Sequence, residues 1–417
     1  MSPLLCWCIF VVTYCGIAVG GLPGLTIDRT GIALLGAIAM VAAGVLPLNA
    51  ALEAIDAPTL LLLFGLMLVS AQLRLSGFYT RTAWALSGLA VHPKRFLLTL
   101  MATSGALSAV LVNDIVCLAF TPVVVAAAVR AKLNPAPYLL GLACASNIGS
   151  AATLIGNPQN MLIGQMARLD FGHFLGWSAL PVVLSIAAAY GLLLWLYRDR
   201  LQTLSGAPDD AIHQPLTDEP RAGLPGNLWQ MRKGMLAAGV VILLFFTKIP
   251  REITALSAGG LLLCSRRMDT RRLLGLIDWS LILLFCGLFV VIAGFGTTGV
   301  PERLLDWMAR HEMSLANPYA LTGVGVVLSN LVSNVPAVML LTRFLEGAST
   351  ESWHVLALAS TFAGNFITIG SIANLIVIEQ ARGMGVTVTF REHARTGVPV
   401  TLASLAIVLL WVWLTRS

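Results

Sequence analysis

The chain has 417 residues, 57% of them hydrophobic and 11% charged, with a formal net charge of +6. An ordinary soluble domain carries about 25% charged residues, and 26 Lys and Arg with 20 Asp and Glu cannot cover a soluble chain of this length. A soluble enzyme, a nucleic-acid binder and a disulfide-framed secreted domain are excluded, and the basic excess belongs in cytoplasmic loops.

Apolar segments near the ~20 residues that a helix needs to cross hydrocarbon fall at about 4–20, 30–48, 58–73, 96–130, 138–166 and 174–197. The first lacks a basic leading region and reads as a spanning helix rather than a cleaved signal. The polar stretch 198–233 follows, with Pro208, Pro215, Pro220 and Pro225, and reads as a linker. Apolar segments resume at about 234–249, 251–265, 278–299, 317–345, 352–378 and 396–414. The expected fold is an all-α polytopic membrane protein whose residues 1–197 and 234–417 are two repeats. Its seven cysteines lie in apolar stretches without Cys-x-x-Cys spacing, and read as small packing residues.

The halves match in order. Leu107-Ser108 through Val112-Asn113 corresponds to Leu328-Ser329 through Ser333-Asn334. Asn147 followed by Gly156-Asn157-Pro158-Gln159-Asn160 corresponds to Asn365 followed by Gly370-Ser371-Ile372-Ala373-Asn374. Around 96–130 the loops hold Arg74, Arg81, Lys94, Arg95, Arg130 and Lys132 without an acid. Around 317–345 they hold Glu302, Arg303, Asp306, Arg310, Glu312, Arg343, Glu346 and Glu351. The positive-inside rule puts the first set in the cytoplasm and the second outside. Arg266, Arg267, Asp269, Arg271 and Arg272 then come out cytoplasmic, as does the linker, and the repeats are inverted. Each repeat has five crossings and one returning segment. Residues 96–130 give about 52 Å of helix, short of the roughly 60 Å two crossings need. A re-entrant hairpin with its tip at Asn113-Asp114 is therefore expected, with a mirror tip at Ser333-Asn334.

Polar groups inside a bilayer face cavities or other helices. They gather at the two tips and in the two broken segments, 138–166 and 352–378. In the run from Asn147 to Asn160, Gly149, Gly156 and Pro158 disfavour an uninterrupted helix, and unwound backbone at membrane depth needs protein or a wet cavity to receive its polar groups. Half-helix N-termini then favour an anion, while free carbonyls and amide oxygens suit Na⁺. The candidate binding residues are Asn113, Asp114, Ser146, Asn147, Gly156, Asn157, Asn160, Ser333, Asn334, Asn365, Thr368, Ser371 and Asn374. Asn113, Asn147, Asn334 and Asn365 are the candidates for holding Na⁺. Asp114 is a carboxylate inside an apolar run, suited to carrying a coupling proton. The six histidines lie in loops or at segment ends and are not candidates.

Val112-Asn113-Asp114, Phe120-Thr121-Pro122 and the run from Ser146 to Asn160 resemble the signature of the ion transporter superfamily, which includes arsenite permeases, citrate and divalent-anion symporters and sodium/proton antiporters. The closest likeness is to arsenite-permease-like bacterial inner-membrane proteins. The resemblance implies an inverted-repeat carrier of the inner membrane, usually a homodimer, with an elevator-like transport domain built from the hairpins and broken helices. This chain departs from the arsenite-permease pattern Gly-Asp-Pro-Pro-Asn at Gly156-Asn157-Pro158-Gln159-Asn160, losing a carboxylate. Its tips also lack the Ser-Asn-Thr of the dicarboxylate symporters.

The reading is a secondary active transporter of a small inorganic anion or oxyanion, coupled to Na⁺ or protons, with no cofactor. The alternative within transport is a sodium/proton antiporter, for which a second intramembrane carboxylate is expected. An intramembrane enzyme would need a Ser/His dyad, paired aspartates or His-Glu-x-x-His within the apolar segments, and the sequence offers none there. A phosphate-driven pump lacks its Gly-x-x-x-x-Gly-Lys-(Ser/Thr) loop.

Overall fold

The computed structural model describes residues 3–21, 26–199, 201, 228–265, 268–311, 314, 315, 317–345 and 347–415, and those residues form helices without strands. The first half runs α1 (Pro3–Val19), α2 (Arg29–Ala42), α3 (Leu48–Glu53), α4 (Ala57–Leu75), α5 (Phe78–Ser87), α6 (Pro93–Val110), α7 (Asn113–Arg130), α8 (Ala136–Ser150), α9 (Pro158–Met166) and α10 (Phe171–Leu196). The second half runs α11 (Leu228–Leu244), α12 (Arg251–Leu263), α13 (Thr270–Leu274), α14 (Trp279–Gly296), α15 (Val300–Arg310), α16 (Pro318–Val332), α17 (Asn334–Thr342), α18 (Thr350–Ala363), α19 (Ile372–Gly383) and α20 (Phe390–Thr415). Most of the linker, together with Arg266, Arg267, Glu312 and Glu346, lies outside the described residues.

Five of these helices (α4, α7, α10, α14 and α20) are long and apolar enough to cross a membrane. Loop acids start three of them. Asp56 accepts from Thr59 N at 2.8 Å at the head of α4, Asp170 from His173 N at 2.7 Å at α10, and Asp278 from Leu281 N at 2.9 Å at α14. Each satisfies a backbone N–H that has no partner inside its own helix. The expected loops around 78–87 and 300–310 are instead the short helices α5 and α15. In α15 apolar side chains alternate with charged ones, so the segment is amphipathic without being an apolar run.

The expected first hairpin differs in detail. Its break falls at Leu111 and Val112, two residues before the expected tip, and each arm has 18 residues. The second break is at Ser333, as expected. Both broken segments interrupt as well, between α8 and α9 and between α18 and α19, the latter through a single 3₁₀ turn at Thr368–Gly370.

Packing between the halves is reciprocal. α4 lies along α12 and α14 along α2, α7 packs on α19 and α17 on α9, and α10 meets α20. The close approaches repeat too: Gly65 of α4 rests on the backbone of Ala255 and Leu256, and Gly287 of α14 on that of Ala33 and Leu34. Ala33 and Ala255 stand as far apart in sequence as Gly65 and Gly287, and as Asp56 and Asp278. Within each half, α6 packs on α8 and α16 on α18. The first of these is backbone on backbone, with Gly149 against Gly105.

Candidate functional site

Four helices begin at the interior breaks. α7 starts at Asn113 after two extended residues. α9 starts at Pro158, and Asn157 caps it by accepting from Asn160 N at 2.9 Å. α17 starts at Asn334 after Ser333, whose φ of 75° and ψ of 161° lie in a region that side chains other than glycine rarely adopt. α19 starts at Ile372, with Ser371 accepting from Ala373 N at 3.2 Å. Each N-terminus carries partial positive charge from its unpaired N–H groups.

Asn147, buried in α8, is the hub that joins the two halves. Its Nδ2 donates to Asn365 Oδ1 at 2.9 Å and to Asn374 Oδ1 at 3.0 Å. Its Oδ1 accepts from Asn113 Nδ2 at 3.2 Å and from Ser371 Oγ at 3.0 Å. Both donors and both acceptor sites of the amide are therefore used. Asn113 is held from behind as well. Its N–H donates to the Gly156 carbonyl at 3.2 Å, and its carbonyl accepts from Ser146 Oγ at 3.3 Å. Ser146 lies 2.7 Å from Ser108 Oγ.

A second node centres on Thr361 of α18. Asn157 Nδ2 and Gln159 Nε2 donate to its hydroxyl, each at 3.3 Å, and it donates to Asn160 Oδ1 at 3.4 Å. The two breaks are braced alike: Asn160 donates to the Thr153 carbonyl at 3.0 Å and Asn374 to that of Ile367 at 3.4 Å. Thr153 Oγ1 in turn donates to the Ala109 carbonyl, tying the break to the end of α6. Gly156 is required, because a Cβ there would collide with the backbone of Ser150 and Ser108.

Of the residues expected at the site, Asn113, Ser146, Asn147, Asn365, Ser371 and Asn374 meet in the first node, and Asn157 and Asn160 in the second. Asn334 joins neither. With its amide nitrogen turned toward them, it donates to the carbonyls of Ser360 at 3.1 Å and Gly370 at 3.2 Å. The Thr368 hydroxyl is buried without a partner among the described residues. Asp114 is half-buried, and its carboxylate makes no hydrogen bond or ion pair with a described residue. Its neighbour in charge is Asp278, at the head of α14.

Ser108 and Thr361 were not among the expected binding residues, although Thr361 lies in the second broken segment, where polar groups were expected to gather, and Ser108 lies just before the first break. Two of the histidines, both near a helix start, are nevertheless buried. His393 is buried in α20, with Nε2 3.2 Å from the carbonyl oxygen of Asn365. His354 is buried in α18, its ring stacked against Trp177 and His173.

A protein-family model described as a citrate transporter matches residues 9–363. An uncharacterized transporter of Mycobacterium tuberculosis (strain ATCC 25618 / H37Rv) is 29% identical over 416 residues, which cover 93% of this chain and 94% of its own. A silicon efflux transporter of Oryza sativa subsp. japonica is 29% identical over 451 residues, covering 92% of each chain. The P protein of Mus musculus is 27% identical over 477 residues, covering 91% of this chain and 57% of that one.

Proposed function

This chain belongs to the citrate transporter family, and from that membership we propose that it is a secondary active transporter of the inner membrane carrying a small inorganic anion or oxyanion. The observation that carries this reading is the asparagine hub at Asn147, which joins both halves where α7 and α19 begin. Amides and helix N-termini offer many weak, neutral or partly positive contacts, suited to a small solute that must be both bound and released. Among the described residues the buried polar set contains no Lys or Arg. A tricarboxylate would find no full positive charge there, whereas a monovalent oxyanion needs none. The silicon efflux transporter among the relatives also accords with a small oxygen-rich solute.

The two halves act as inverted repeats, one hairpin entering from each face and the linker lying in the cytoplasm. The reciprocal packing and the matched positions of Gly65 and Gly287 support a two-fold relation, and the loop charges support its inversion. The hairpins and broken helices move together as a transport domain, two copies of the chain assemble as a dimer, and Na⁺ or a proton drives the cycle. A sodium/proton antiporter is the second reading, favoured by the exposed carboxylate of Asp278 near Asp114.

Proteoliposomes loaded with the purified chain decide between the two. Uptake or efflux of silicate, arsenite, phosphate and citrate is measured with Na⁺ and proton gradients imposed separately. Gradient-driven flux of one of the three small inorganic solutes is the expected result. Flux of citrate alone defeats the proposed substrate class, and Na⁺/H⁺ exchange without any solute establishes the antiporter.

A further inference from the structure

The far end of α9, the helix that carries Asn160, is fastened to the start of α12. Arg251 donates from Nη2 to the Gly164 carbonyl at 2.7 Å, and Gln165 donates from Nε2 to Glu252 Oε2 at 3.1 Å. Gly164 leaves room for this contact, since a Cβ on it would come within 3.3 Å of Arg251 Nη1. Asp170 and Glu252 are near enough to act on the Arg251 charge. α9 also packs on α4.

The register that pairs Ala33 with Ala255 pairs Arg29, the first residue of α2, with Arg251, the first residue of α12. The register of the two breaks, which pairs Asn160 with Asn374, pairs Gln165 with Glu379. At this second end the fastening is open. Arg29 is half-buried, Glu379 is exposed, and neither side chain has a hydrogen bond or ion pair with a described residue. Gln380 Oε1, next to Glu379 in sequence, is a buried acceptor without a donor among the described residues. Nor does α19 pack on α14 as α9 packs on α4. Matched parts of the two halves are thus in unlike conditions, one joined and one apart.

We propose that Arg251 and Arg29 are alternating latches. In the state seen here Arg251 holds α9 at one membrane face. In the opposite state Arg29 holds α19 at the other face through Glu379, and each latch closes only when the other opens. The idea rests on the inverted-repeat reading above, which puts the two arginines on opposite sides of the bilayer. A packed assembly related to itself by such a repeat reaches its second state by exchanging the conditions of its halves, and a two-state element needs contacts that differ between the states. A guanidinium bonded to a backbone carbonyl is a charge-assisted contact, and its loss shifts a two-state ratio by about tenfold.

The test uses the full chain in liposomes, with the native cysteines replaced and two thiol pairs introduced, Gln165→Cys with Glu252→Cys and Arg29→Cys with Glu379→Cys, each closed with a short bismaleimide. Alternating latches require that closing the first pair blocks cross-linking of the second in the same molecule, and the reverse. They also require that Arg251→Ala speeds cross-linking of the second pair about tenfold. If both pairs close together in one molecule, or closing one leaves the rate of the other unchanged, the latches do not alternate. Labelling Arg29→Cys and Glu252→Cys with a membrane-impermeant maleimide separates this from the parent reading. Labelling from the same face overturns the inverted repeats and the latches with them, while labelling from opposite faces without mutual exclusion overturns the latches alone. Hydrogen exchange in protein that keeps its native cysteines gives an independent readout. Arg251→Ala should raise exchange across 158–168 and lower it across 372–383, and an unchanged second segment counts against the proposal.

Discussion

Asn147 is the residue on which the site turns, because every valence of its amide is used. Asn147→Ala strands four partners in a buried setting, at about 3–5 kcal/mol. Asn365 contributes one good bond through Oδ1 and a long 3.5 Å contact from Nδ2 to the Cys144 carbonyl. Asn365→Ala should therefore lower the melting temperature in detergent by clearly less than Asn147→Ala, although both should abolish flux. Equal losses of stability would mean that the network has no centre at Asn147. Asp114 makes a different kind of prediction, since it holds nothing in place. Asp114→Asn keeps the shape and removes the charge, so the melting temperature should barely move. If the carboxyl carries the coupling proton, the remaining flux loses its pH dependence and keeps its response to Na⁺. If it ligates Na⁺, the reverse holds, and a mutant normal in both respects removes Asp114 from coupling.

At the scale of the helix, the breaks matter more than the spans. Gly149 in α8 touches the backbone of Gly105 in α6, whereas a Cβ on Gly176 of α10 or Gly239 of α11 would meet no atom within 4 Å. Gly149→Ala should therefore cost most of the folded yield on size-exclusion chromatography, and Gly176→Ala and Gly239→Ala none of it. Equal yields would show that α6 and α8 can separate without penalty. The breaks were legible in the sequence because Gly156, Pro158 and the repeated asparagines act locally, through backbone freedom, a missing donor and capping. The partners of those asparagines were not. His393 reaches the site through the packing of α20, and nothing local marks it; Thr361 stands in the second broken segment, but its partners Asn157 and Asn160 come from the other half through the packing of α18. His393 is also disguised by Arg391, Glu392 and Arg395, which make the start of α20 look like a loop. α15 escaped for another reason: its apolar residues follow a helical period rather than a run, and a search for spans passes over them.

For the whole molecule, orientation is the first quantity to measure. A lone cysteine at Arg95 should react with impermeant reagents from the cytoplasm and one at Arg310 from the outside. Reaction from one side only would contradict the charge argument and the inverted arrangement together. The lengths of two helices carry a further consequence, for the lipid rather than the protein. α2 has 14 residues and α12 has 13, which is about 21 and 20 Å of helix against a hydrocarbon core of about 30 Å. Both turn apolar side chains outward, Leu35 and Ile38 on α2 and Ile253 and Leu261 on α12. Where both helices face lipid across the bilayer, the leaflets are expected to pinch inward beside each of them, giving two dimples in the surrounding membrane, one for each half. Hydrophobic mismatch costs fractions of a kcal/mol per ångström, and any motion of the neighbouring helices has to carry those dimples along. Flux in vesicles of a single phospholipid class should thus fall steadily as the acyl chains lengthen, and a rate indifferent to chain length would mean that flanking residues, not bent lipid, make up the missing span.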